Sequence, residues 1–196
     1  ELIKDRYAKE ALLSLGERLV VLAHSAYACR QMDVVEQLSQ ILLHLPLPSE
    51  FRNIALYYQA FCIKRKGRFD EAQTLFECVA EKGPPKYRAR AMIALGSVAF
   101  DSGDFKTALS LYGEGCSTTT QSKVFDPLAA VYAQHTLALL KSIDGDHPRA
   151  LKNLEALYPL ARAVGLSYPP IYYNYLNSLA VEMIEVGRIE EAQGIS

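Results

Sequence analysis

Apolar residues return every three or four positions along almost the whole chain, the period of a helix with one buried face. Between Phe69 and Ala80, the residues Phe69, Ala72, Phe76, Val79 and Ala80 share one stripe, while Glu71, Gln73, Thr74 and Glu77 fall on the polar side. No run alternates with the period of two that a half-buried strand requires, so strands are not predicted. The breaks are equally legible. Leu45-Pro46-Leu47-Pro48-Ser49 ends one helix and opens another, because proline has no backbone donor and disfavours helix just before it. Gly83-Pro84-Pro85 and Tyr168-Pro169-Pro170 repeat that punctuation, and Asp126-Pro127 reads as an N-cap followed by proline at the first helical position. Pro159 lies inside a helical pattern and predicts a kink. Ten or eleven helices joined by short turns follow from this pattern.

One motif recurs. Gly67-Arg68-Phe69-Asp70-Glu71-Ala72 is echoed by Gly103-Asp104-Phe105-Lys106-Thr107-Ala108, Gly145-Asp146-His147-Pro148-Arg149-Ala150 and Gly187-Arg188-Ile189-Glu190-Glu191-Ala192. The glycines stand 36, 42 and 42 residues apart, and a degenerate copy, Gln31-Met32-Asp33-Val34-Val35-Glu36, starts 36 residues before Gly67. Glycine can take the left-handed conformation that ends a helix. The bulky residue two positions on is expected to insert between paired helices, and the alanine at the fifth position to let two backbones approach. Phe76, Tyr112 and Leu154 stand nine positions after their glycines and would fill the wider gap. Ala60, Gly96, Ala138 and Ala180 supply small residues on the partner helices.

This arrangement resembles the tetratricopeptide repeat (TPR) family, whose unit is a helix–turn–helix pair. The resemblance runs over roughly residues 17 to 196 and is most marked around Gly67 and Gly103. It implies an all-α fold, a right-handed α–α superhelix (TPR-like solenoid) of about five helix pairs. The chain, 1–196, would be a single repeat domain with units near 17–49, 50–85, 86–122, 123–168 and 169–196. Departures from the family pattern are specific. Leu56, Met92 and Leu176 replace the aromatic usual near the start of the first helix, and His147 and Asp33 replace the bulky residue after the turn. The 42-residue spacings imply longer helices or loops, such as Gly115 to Asp126. The chain opens without methionine and ends early in its last pair, which suggests a fragment of a longer protein with an uncapped C-terminal face open to self-association.

Composition narrows the function classes. Twenty-one Lys and Arg balance 22 Asp and Glu, so no general attraction to nucleic acid or an anionic membrane is expected. No apolar stretch reaches the length of a membrane span. The cysteines at 29, 62, 78 and 116 form no C-x-x-C pair and read as free thiols of a cytoplasmic protein. The phosphate loop, the nucleophile elbow and the H-E-x-x-H pattern are absent, and the histidines at 24, 44, 135 and 147 show no ligand spacing. No enzymatic activity, metal or cofactor is predicted. Asp70-Glu71 and Glu190-Glu191 sit at helix starts, where the dipole favours them. Lys64, Arg65, Lys66 and Arg68, with Lys86, Arg88 and Arg90, form the one basic concentration, tempered by Asp70, Glu71, Glu77 and Glu81.

Aromatic content points to recognition. There are 12 tyrosines and no tryptophan. Neither Tyr57-Tyr58 nor Tyr172-Tyr173-Asn174-Tyr175 can all face one stripe, because successive helical residues lie about 100° apart. In the TPR family the first helix of each pair lines the concave face. Carried over by register, the resemblance implies a groove formed by Tyr57, Phe61, Lys64 and Arg65, then Arg90, Ile93 and Ser97, then Tyr132, His135 and Leu139, then Asn174 and Asn177. Tyr57, Phe61 and Tyr132 stand where some members place a carboxylate clamp, so that clamp is not expected. The expected function is a protein-interaction scaffold that binds a peptide or protein segment. The alternative is a regulatory or sensor region of a larger signalling or transcription-regulating protein.

Overall fold

The structure, a computed structural model, describes residues 2–121 and 126–195. Ten helices are found among the described residues, and no strand. They are α1 (Leu2–Ala28), α2 (Met32–His44), α3 (Ser49–Arg65), α4 (Phe69–Lys82), α5 (Pro85–Asp101), α6 (Phe105–Gln121), α7 (Pro127–Ile143), α8 (His147–Gly165), α9 (Pro169–Glu185) and α10 (Ile189–Gln193). Each odd-numbered helix joins the next through a turn of three residues. The expected boundary at 122/123 lies outside the described residues. Two compact units result, Glu1–Val98 and Ala99–Ser196.

In the first unit α1 packs on α2 and α3, α2 on α3, and α3 on α4. Its core joins Val35, Tyr57, Tyr58, Phe76 and Val79 to Tyr87, Ala91 and Val98 of α5. In the second unit α7 packs on α6, α8 and α9, while α9 packs on α8 and α10. Leu151, Leu154, Leu157, Tyr175, Leu179 and Met183 fill that core.

The recurrent motif has the expected backbone cause. Gly67, Gly103, Gly145 and Gly187 all have φ between +77° and +84°, and a Cβ at any of them would meet nothing within 4 Å. Conformation, not crowding, therefore selects glycine there. The residue after it uses one of two chemistries. Asp104 and Asp146 cap the next helix by accepting from the backbone N–H of Thr107 and Arg149. Arg68 and Arg188 instead clasp the carboxylates of Glu71 and Glu191 three residues on. The helix-facing small residues are closed off: Ala60, Ala72, Ala108, Ala138 and Ala150 have no exposed surface.

Two expectations are corrected. In the first repeat the left-handed residue is Arg30, at φ +59°, and its N–H bonds to the Tyr27 carbonyl as that of Gly67 bonds to Lys64. The register therefore starts one residue earlier than the copy at Gln31. Met32 takes the bulky place assigned to Asp33, and Val35 the alanine place. Secondly, Phe69 and Phe105 are each 41% exposed, so the residue after the turn lies at the surface rather than between helices. Phe105 instead meets Phe100 edge-on across its own turn, with ring centroids 5.4 Å apart. Of the longer helices or loops expected around Gly115, the described residues form helix: α6 runs through Gly113 and Gly115 to Gln121. There the hydroxyls of Thr118 and Thr119 bond back to the carbonyls of Glu114 and Cys116, keeping polar side chains satisfied within a helix.

Pro159 stays inside α8. Proline removes the donor for the Glu155 carbonyl, and one residue earlier the Leu154 carbonyl takes the Tyr175 hydroxyl at 2.7 Å. Arg30→Gly should raise stability by about 1 kcal/mol, since an L-residue in the left-handed region carries a cost of that order. A thermal midpoint that stays the same or falls would contradict this reading of the first turn.

Candidate functional site

The residues singled out for the groove separate by burial. In the first unit Tyr57, Arg90 and Ile93 are buried, Phe61, Lys64 and Ser97 are half-buried, and Arg65 is exposed. Tyr57 and Tyr58 both turn inward because α3 has neighbours on several sides. The Tyr57 ring meets Phe61, Phe76 and Tyr87 edge-on, at centroid distances of 5.1, 6.0 and 5.3 Å. Tyr58 lies between α1 and α5: its hydroxyl is 3.1 Å from His24 Nδ1 and 3.4 Å from the Tyr87 hydroxyl. Burial pushes the Tyr58 phenol far above its ordinary range, so it stays protonated. The Arg90 guanidinium lies 5.5 Å from the Tyr87 ring centroid, where a cation is drawn to the π face. Lys64 Nζ donates to Ser97 Oγ, tying α3 to α5. Sequence reasoning missed Tyr27 and Tyr87, whose rings complete this cluster.

Two members of the basic concentration are paired with carboxylates. Lys66 Nζ reaches Glu36 at 2.7 Å, and Arg68 is held by Glu71. Burial pushes the Cys62 thiol up to about 11, which suppresses the thiolate and leaves a small apolar side chain.

In the second unit Tyr132 is 42% exposed, Asn174 and Asn177 are exposed, and His135 and Leu139 are half-buried. Facing helices α7 and α9 meet through His135, whose Nε2 is 2.9 Å from Ser178 Oγ. The Ser178 hydroxyl donates its one proton to the Asn174 carbonyl at 3.1 Å, so the histidine is the donor. The imidazole also lies edge-on to Tyr175, with centroids 6.2 Å apart. Burial lowers the His135 pKa from its ordinary value. The unfolded chain then binds the proton more readily, so this site contributes stability above about pH 6.5 that is lost as pH falls through the folded pKa. His135→Gln should flatten the acid-side decline of the thermal midpoint relative to the parent. An unchanged slope would contradict that.

A second polar group lies nearby. Glu182 is 2% exposed, yet Ser142 donates to its Oε1 at 2.6 Å and His147 Nδ1 donates to its Oε2 at 3.0 Å. These are the residue types of a hydrolytic triad in the wrong order. The carboxylate stands between serine and histidine, so the imidazole is not placed to take the serine proton. The group ties α7, α8 and α9 together. It also explains His147 in an aromatic position: a carboxylate at a core position of α9 needs a donor. The signal was a lone Glu between Leu179 and Met183 on the apolar stripe.

Among the described residues no group of three or more His, Cys, Asp or Glu could hold a metal ion, and no helix is long and apolar enough to cross a membrane.

No protein-family model matches the chain, and no curated protein does. Solved structures do. A Podosopora anserina protein described as a kinesin light chain with nearly identical TPR-like repeats aligns over 95% of this chain and 92% of its own, at 20% identity and a TM-score of 0.53. BtubC (BKLC) from P. vanneervenii aligns over 96% of this chain and 88% of its own, at 17% identity and a TM-score of 0.65. At such identities the likeness concerns the fold. The protein has an all-α, TPR-like helical-repeat fold.

Proposed function

We propose that this protein is a non-enzymatic interaction scaffold that holds a peptide or protein segment against the first helices of its repeats. The observation carrying this reading is the α7–α9 face. There the exposed Tyr132, Asn174 and Asn177 flank the His135–Ser178 contact. An amphipathic ring offers contact area at low entropic cost, and side-chain amides can both donate to and accept from a peptide backbone. The histidine–serine bond holds the two helices in register, so the face is preorganised and less ordering entropy opposes binding. In the first unit Phe61, Lys64, Arg65 and Ser97 provide accessible apolar, basic and hydroxyl groups. Tyr57, Arg90 and Ile93 act from beneath, as packing that shapes the face. That the chain is one repeat domain of five units is part of the proposal. A cytoplasmic location suits the free thiols. Val181, Ile184 and Ile189 are exposed on α9 and α10, where self-association would occur.

The test is selection of binders from a random peptide library, followed by titration of the strongest peptide. Tyr132→Ala and Asn177→Ala should each weaken it, the tyrosine by about tenfold or more. Failure to select any saturable binder, or binding by both variants that equals the parent's, would remove this face from the function.

A further inference from the structure

The edge where α8 meets α9 carries a second, partly exposed aromatic group, unrelated to the groove. Tyr158 of α8 and Tyr172 of α9 have ring centroids 6.5 Å apart with planes tilted by 54°, so the two rings form a shallow wedge whose hydroxyl ends lie 3.5 Å apart. Tyr175 forms its floor. It stacks on Tyr172 at an interplanar angle of 12°, and its hydroxyl is anchored on the Leu154 carbonyl. The Tyr172 ring is fixed from behind by the bare backbone of Gly165, where a Cβ would lie 2.6 Å from the tyrosine Cβ. Arg162, one helical turn beyond Tyr158, is exposed and lies close enough to Tyr172 to act on its phenol. Leu166, at 86% exposure, stands a further turn along. Residues 172 and 174 lie about 200° apart around α9, so this wedge faces away from Asn174.

The polar groups here have one character. The Tyr172 hydroxyl donates to the Tyr158 oxygen at 3.5 Å, which leaves the Tyr158 proton free for an incoming acceptor. Arg162 has donors only. The nearest carboxylate on α8, Glu155, is taken by Arg188 at 2.6 Å. A ligand for this wedge must therefore bring flat apolar groups and hydrogen-bond acceptors, with few donors to satisfy. A methylated ammonium, which also seeks aromatic walls, is opposed by the arginine. A polyproline II segment meets every requirement. Its pyrrolidine rings are apolar, its prolines lack N–H groups, and its carbonyls project unpaired. Its rise of about 3.1 Å per residue sets two residues along a ring pair of this spacing.

We propose that the Tyr158–Tyr172 wedge is a docking site for a proline-rich segment bearing a carboxylate beside the proline run, with Tyr158 donating to a backbone carbonyl and Arg162 pairing with the acid. The probe is a fluorescent oligoproline peptide ending in glutamates, titrated into the full chain and followed by anisotropy. Saturable binding is expected, weakened about tenfold by Tyr158→Ala and measurably by Tyr158→Phe, which removes only the hydroxyl. Arg162→Glu should weaken this peptide and strengthen its lysine-ended counterpart. Tyr132→Ala should leave the affinity unchanged, which separates this site from the groove. The absence of saturable binding would overturn the proposal. So would equal affinity for a glycine–serine peptide of the same charge, or indifference to Tyr158→Ala in a variant whose helix content is intact.

Discussion

Phe76→Ala is expected to lower stability by about 3–5 kcal/mol, read as a fall in the urea midpoint of the full chain. Phe76 has no exposed surface and lies against the rings of Tyr57 and Phe61, at centroid distances of 6.0 and 4.9 Å. Removing its ring withdraws the transfer free energy and leaves a cavity lined by stiff aromatic groups that close poorly. Phe69→Ala is the internal control. Phe69 stands on the same sequence stripe but is 41% exposed, so its loss should cost well under half as much. Equal costs would mean that α4 buries a different face.

The second large effect concerns Glu182. His147→Phe restores the aromatic that the repeat pattern leads one to expect, yet it should destabilise the second unit by about 2–3 kcal/mol, because a buried carboxylate loses a charge-directed donor. Adding Glu182→Leu should recover most of that loss, since replacing both members of a buried polar pair by apolar groups is often close to neutral. Recovery in the double variant distinguishes coupling from a simple packing preference. If His147→Phe is neutral or stabilising, the histidine is not there to satisfy Glu182.

How much of this could be seen in the chain follows from where local chemistry decides the outcome. The turns were legible because each needs a backbone state that only a few residues supply. The four glycines have positive φ, Asp126 caps α7 through the Ala129 N–H, and the prolines open α5, α7 and α9. Arg30 was misread by one position because an arginine in the left-handed region leaves no compositional mark. The alanine positions were legible because close helix approach leaves no room for more. The face of each aromatic was not. Tyr57 and Tyr58 are consecutive, and a helix with one buried stripe could not hide both, but α3 lies between neighbours and buries more than one face. For the same reason Arg90 and Ile93, assigned to the groove by register, are buried, whereas Tyr132, Asn174 and Asn177 remain accessible. Long-range polar pairs escaped altogether. Nothing near His135 in sequence announces Ser178, and nothing near His147 announces Glu182, because those partners depend on how separate repeats stack.

The most direct measurement is an amide nitrogen–proton spectrum of the full chain titrated with a peptide selected against it. If the first helices hold the ligand, the largest shifts fall on Tyr132, His135, Asn174 and Asn177. Shifts confined to α2 or α8, with those four residues unmoved, would contradict it.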